Sequence, residues 1–189
     1  MASIHSPTSS KLKQYFLEGK VFAYPTEAVF GLGCDPMNRK ALERILQLKR
    51  RPVEKGVILV ADCWERVAKF IDVKQISTET LADVKISWPG FITWLMPKSA
   101  KTPDWISGDS KLIAIRVSAH PVIQQLCKTL NSPLVSTSAN LSGEQAIKER
   151  TILEKVFAKN VLYIAGDLGE ELNASEIRDA LTGKIIRGN

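Results

Sequence analysis

One feature constrains this chain more than any other: an alternation. Short runs rich in β-branched and aromatic residues recur along it, VFAY at 21–24, GVILV at 56–60, FITWLM at 91–96, LIAIRV at 112–117, PLVST at 133–137 and VLYIA at 161–165. Between them lie stretches whose apolar residues follow helical spacing. A chain built this way buries its strands by laying helices on a sheet. The closing segment DALTGKIIR sets Thr182-Gly183 between two extended runs, which suits a hairpin turn and requires some antiparallel pairing. The expected fold is therefore α/β, a single domain over residues 1–189, with a twisted open sheet of mixed parallel and antiparallel strands and flanking helices.

The helical stretches carry their own boundaries. Ser9 or Ser10 can cap a helix with Leu12, Tyr15 and Phe16 on one side, and Gly19 can end it, which leaves residues 1–8 as a loose tail. Asn38 can cap a second helix whose Ala41, Leu42, Ile45, Leu46 and Lys49 share a face, with Pro52 beyond its end. Asp62 and Glu65 are spaced as a capping box. Further helices are expected from about Ser77 to Val84, from Pro121 with Val122, Ile123, Leu126 and Leu130 inward, and from Ile152 to Phe157.

Hydrophobic residues make up 44% and charged residues 24%, and no apolar run approaches the roughly 18 residues that span a bilayer. A membrane protein is not expected. The stretch MASIHSPTSSKLKQ lacks a basic region followed by an apolar core, so the expected location is the cytoplasm. Cys34, Cys63 and Cys127 are too scattered for a zinc knuckle or a disulfide framework and read as small core residues. Formal net charge is +6, and most of it sits in residues 39–55, where seven Lys or Arg stand against Glu43 and Glu54. Such a stretch favours polyanions, whether nucleotide phosphates or RNA.

Four polar clusters could carry chemistry. In YPTEAVFGLGCDP, Thr26 and Glu27 follow a strand end, and Gly31 and Gly33 permit close backbone approach. Lys49, Arg51 and Lys55 surround Pro52, more cations than a helix C-terminus needs for capping, and could converge on a triphosphate. In PLVSTSANLSGE, Ser136, Thr137, Ser138 and Asn140 can bond a ligand's oxygens or their own main chain, and composition leaves both readings open. Ser175, Arg178 and Arg187 lie near the closing hairpin, and Thr93 opens a strand. His5 and His120 form no Ser-His-Asp or metal set with anything nearby.

Taken together, AYPTEAVFGLGCDP, LKRRPVEKGVILV, WPGFITW, IAIRVSAHP, PLVSTSANLSGE and SEIRDALTGKIIR resemble the threonylcarbamoyl-AMP synthase family, in its short YrdC/TsaC-type form, from about residue 20 to residue 187. The resemblance implies a YrdC-like fold with a basic concave face. It also implies a nucleotidyltransferase that makes L-threonylcarbamoyladenylate and pyrophosphate from L-threonine, bicarbonate and ATP, with Mg²⁺ accompanying the ATP and no metal held by protein ligands. The product would pass to the tRNA threonylcarbamoyl transferase complex for N6-threonylcarbamoyladenosine formation, and tRNA itself is a further candidate partner. The family's K-x-R pattern falls on Lys49 and Arg51, which the resemblance makes the catalytic pair, and nucleotide contacts fall on Arg51, Lys55, Ser138, Asn140 and Arg187. Threonine contacts fall on Thr26, Arg116, Ser136 and Ser175. Two departures bear on the threonine pocket: Phe91 replaces the second proline of P-G-P-x-T, and Val60 stands where some members have a histidine. The alternative, a non-catalytic RNA-binding module, fits the charge equally, but aromatic residues are only 7% and do not interleave with the basic cluster.

Overall fold

The structure, a computed structural model, describes residues 7–188; residues 1–6 of the expected tail, His5 among them, and Asn189 lie outside the described residues. In chain order the elements are α1 (Ser9–Leu17), β1 (Phe22–Pro25), β2 (Phe30–Gly33), α2 (Arg39–Lys49), β3 (Ile58–Ala61), α3 (Trp64–Val67), α4 (Thr78–Ser87), β4 (Ile92–Pro97), α5 (Asp104–Ser107), β5 (Leu112–Val117), α6 (Pro121–Leu130), β6 (Leu134–Ser138), α7 (Arg150–Phe157), β7 (Leu162–Tyr163), β8 (Glu176–Asp179) and β9 (Ile185–Arg187). The strands line up as β7-β1-β2-β6-β3-β5-β4-β8-β9. Pairing is parallel for β1 with β7, β3 with β5 and β4 with β8, and antiparallel for the other neighbours, so the mixed sheet is present and its closing hairpin is β8–β9. Gly183 supplies the positive φ, +70°, that the turn of this hairpin needs.

Alternation along each strand feeds two apolar layers. Phe22, Tyr24, Val60 and Leu134 pack with Leu12 and Phe16 of α1 and Ile123 and Leu126 of α6. Their strand neighbours Ala23, Leu59 and Val135 join the other layer, with Leu42 and Ile45 of α2 and Phe157 of α7. Packing, not capping, holds α1: its N-cap is Thr8, not the expected Ser9 or Ser10, and its side chain caps no backbone amide of the described helix. The stacked rings of Phe16 and Phe22, 6.2 Å between centroids, tie α1 to β1. A buried aromatic contributes about 1.5–3 kcal/mol, more than a typical cap.

Where local signals were strong they hold. Asn38 accepts from the Ala41 amide at 3.1 Å, Ser77 caps α4 and Pro121 opens α6. Two further expectations need correction. Asp62 and Glu65 form no capping box: the N-cap is Cys63, and the Asp62 carboxylate, one residue before it, takes Arg66 of α3 instead. Cys63 is only half-buried, whereas Cys34 and Cys127 are core residues. The segment FGLG is a fully buried strand, β2, although two glycines argue against one. Gly33 explains this: a Cβ there would stand 2.4 Å from the Val135 carbonyl oxygen and 2.8 Å from the Tyr24 ring, so only glycine fits.

Candidate active site

One face of the sheet carries a cavity of about 440 Å³. Its floor follows from register. Ile58 of β3 lies beside Ser136 of β6 on one side and Ala114 of β5 on the other, and Leu112, Ala114 and Arg116 recur at the two-residue spacing that sends side chains to one face. Thr26 after β1, Ser138 at the end of β6, the segment at 51–58 and Ser175 to Arg187 around β8 and β9 complete the wall. Of the residues singled out from the sequence, Thr26, Arg51, Lys55, Arg116, Ser136, Ser138, Ser175 and Arg187 all line this cavity; Lys49 and Asn140 do not. Among the described residues that line it, four are cations and none is acidic.

One end of the cavity is walled by a buried ion pair and by hydroxyls. Arg116 is buried, with Nη1 3.0 Å from Glu27 Oε2, and the ring of Phe91 lies 5.1 Å from its guanidinium carbon. Edge and face of the guanidinium are thereby fixed, and its buried Nε has no hydrogen-bond partner among the described residues. Ser118 Oγ donates to Glu27 Oε1 at 2.6 Å and accepts from the His120 amide, which holds the carboxylate in turn. Thr26 Oγ1 donates to the Val29 carbonyl at 2.7 Å, so its lone pairs remain to accept from an ammonium. Ser175 and Thr93 share a buried hydroxyl bond of 2.8 Å. Burial holds the His120 imidazole below its usual pKa, and its Nε2 lies 3.2 Å from the Asp167 carbonyl oxygen.

The other end suits polyanions. Arg51 donates through Nη2 to the Gly56 carbonyl at 2.9 Å, and its buried Nε has no hydrogen-bond partner among the described residues. Burial lowers its pKa. Arg187 lies between the two ends: its Nη2 donates to the Ser175 carbonyl at 2.7 Å, and burial together with nearby Arg116 lowers its pKa as well. These cations are crowded and partly desolvated, which favours any anion that enters.

Lys49 departs from the expected phosphate clamp. Its side chain enters the protein, and the ammonium donates to the Ser138 carbonyl, to the Asn140 carbonyl at 2.8 Å and to Asn140 Oδ1 at 3.1 Å. The Asn140 amide is likewise engaged within the chain: Oδ1 also accepts from Ser138 Oγ at 2.6 Å, and Nδ2 donates to the Leu141 and Glu144 carbonyls. The serine-asparagine bend therefore bonds largely to itself and to Lys49, and Ser138 Oγ meets the cavity with its lone pairs.

Sequence reasoning placed Glu27 beside Thr26 at a strand end without giving it a role, and did not single out Ser118. Glu27 stands in the P-T-E segment, but nothing local showed that its charge would meet Arg116, 89 positions later in the chain. Phe91 was visible only as a departure from pattern; its place over Arg116 required the β4–β5 pairing.

A family model, Sua5_yciO_yrdC, described as "Telomere recombination", matches residues 14–188. The chain belongs to the Sua5/YciO/YrdC family. Among its relatives, the Threonylcarbamoyl-AMP synthase of Pseudoalteromonas atlantica is 48% identical over 92% of this chain and 93% of its own. That of Xanthomonas campestris pv. campestris is 44% identical over 97% and 98%. Of solved Sua5/YciO/YrdC structures, P. abyssi Sua5 complexed with L-threonine matches with a TM-score of 0.82 at 27% identity, covering 93% of this chain and 52% of that one. This chain thus spans about half the length of P. abyssi Sua5. E. coli YciO, with a TM-score of 0.79 at 23% identity over 97% of this chain and 92% of its own, shares the fold. Among the described residues no helix is long and apolar enough to cross a membrane.

Proposed function

We propose that this protein is a threonylcarbamoyl-AMP synthase, a nucleotidyltransferase that joins L-threonine, bicarbonate and ATP into L-threonylcarbamoyladenylate and releases pyrophosphate. One observation carries the reading: a single cavity gathers Arg51, Lys55, Arg116 and Arg187 with hydroxyls and no acid, in a chain whose near relatives carry that activity in their names. The same geometry favours an enzyme over a module that reads RNA, because these cations line a hollow sized for small molecules and not an open aromatic platform.

In this reading Arg116 pairs with the threonine carboxylate, and Thr26, with Ser136 and Ser175 beside it, orients the amine. The amine nitrogen attacks the bicarbonate-derived carbon, and loss of water leaves a carbamate. A carbamate oxygen then displaces pyrophosphate from the α-phosphorus. Three anions must meet in this sequence, so what the protein supplies is position and positive charge. Arg51, Lys55 and Arg187 supply the charge around the phosphates, and the lone pairs of Ser138 accept from nucleotide groups. Mg²⁺ enters this reading as part of the MgATP substrate, carried by phosphate oxygens. The product is destined for the transferase that modifies tRNA.

The test is incubation of the protein with MgATP and bicarbonate, with and without L-threonine. Threonine-dependent pyrophosphate release accompanied by the adenylate is the expected result. Salt-sensitive RNA binding with no such turnover would overturn the proposal.

A further inference from the structure

The cavity wall includes Ser138 but not the lysine that the K-x-R pattern makes its companion. Lys49 is the last residue of α2, 2% exposed, and its ammonium reaches three oxygens of the 138–140 bend. An ammonium has three hydrogens, and three acceptors use them all. The bend is tied to α2 a second time by the Ser142 amide, which donates to the Lys49 carbonyl at 2.8 Å. Strand pairing covers only the stem of this segment, since β6 ends at Ser138. Beyond it the Asn140 side chain takes part in four bonds: Oδ1 accepts from Lys49 and Ser138, and Nδ2 donates to the Leu141 and Glu144 carbonyls.

We propose that Lys49 is a positioning residue: its ammonium folds the Ser138–Asn140 bend into the form that faces the nucleotide, and it touches no phosphate itself. The proposal rests on the functional reading above for the identity of the nucleotide. A compact ammonium can serve three acceptors that converge on a point, whereas a guanidinium presents its donors as a planar fork, so charge alone cannot replace it. A phosphate contact has the opposite requirement, because any cation of similar reach retains part of the attraction. Among the described residues no carboxylate lies within ion-pair distance of the Lys49 nitrogen, and on its own segment the charge that acts on it is Arg51. Burial, with Arg51, pushes the Lys49 pKa down to about 8, so the tether itself titrates within an accessible range.

The experiment compares the full-length protein with Lys49→Met and Lys49→Arg. In the absence of any ligand, amide hydrogen exchange at 138–142 should rise at least tenfold in both variants, with exchange in β1 and β5 unchanged. Unchanged protection of the bend in both would overturn the proposal, and this measurement does not depend on what the enzyme makes. Kinetically, both variants should raise KM for ATP by tenfold or more with KM for threonine changed less than threefold, and in the wild type KM for ATP should climb as pH passes about 8. Retention of near wild-type ATP affinity by Lys49→Arg alone would point to a phosphate contact and overturn it. If Lys49→Met fails to fold, Lys49→Arg with the wild-type pH profile carries the same decision. Absence of threonine-dependent turnover in the wild type would reject the proposed function while leaving the exchange result to judge the tether.

Discussion

Replacing Glu27 with Gln keeps the shape of the side chain and removes its charge. Arg116 would then lose its counter-ion while its side chain remains 9% exposed, against 13% for Glu27. Breaking one partner out of a buried pair costs about 3–5 kcal/mol, because the charge left behind is neither hydrated nor matched. The low end applies here: Ser118 can still donate to the Gln oxygen, and the Phe91 ring still covers one face of the guanidinium. A loss of about 3 kcal/mol corresponds to a melting temperature lower by roughly 6–12 °C for a chain of this size. The assay is thermal unfolding at neutral pH, followed by circular dichroism, on the wild type, E27Q, R116M and the double variant. Since the double variant no longer buries an orphaned charge, it should be at least about 2 kcal/mol more stable than the sum of the single losses predicts. A Glu27→Gln protein within about 0.5 kcal/mol of the wild type, or strictly additive single losses, would refute the argument that this pair is a buried, mutually dependent unit.

Other outcomes follow from the same geometry. Arg51→Ala should lower threonine-dependent pyrophosphate release by roughly 30- to 1,000-fold, equivalent to about 2–4 kcal/mol of transition-state stabilisation, with the fold intact by circular dichroism. Gly33→Ala forces a methyl group against the Val135 carbonyl and the Tyr24 ring, and should destabilise by about 2 kcal/mol or more in urea titration. His120 has its folded pKa depressed by burial, so the unfolded chain binds the proton more readily. Its contribution is therefore complete above the ordinary imidazole value and is lost as pH falls below about 6.5. In denaturation series at pH 5.5 to 7.5, the wild type should weaken toward acid more steeply than His120→Gln.

How far these features could be read in advance depended on how local their causes were. Asn38, Ser77 and Pro121 act within one helical turn, and each helix began where they stand. The strand LIAIRV coincides with β5 because its apolar run is long enough to specify a buried strand unaided. By contrast β2 is specified by what surrounds it: Gly33 is needed only because the Val135 carbonyl and the Tyr24 ring lie against it, and neither is a sequence neighbour. The candidate site divides along the same line. Residue types that suit anions pointed to Arg51 and Lys55, the family resemblance pointed to Arg116, and the cavity brings them together. Glu27 and the inward turn of Lys49 depended on partners 89 or more positions away, for which one chain read by itself holds no local signal.

The acid-free lining of the cavity has a consequence for handling the protein. Like charges held close in a poorly hydrated hollow repel one another until something neutralises them, and any small polyanion does so whether or not it is a reactant. Storage in phosphate or citrate would thus harden the protein against heat while competing with ATP. Released pyrophosphate would act as a brake on further turnover unless a hydrolase removed it.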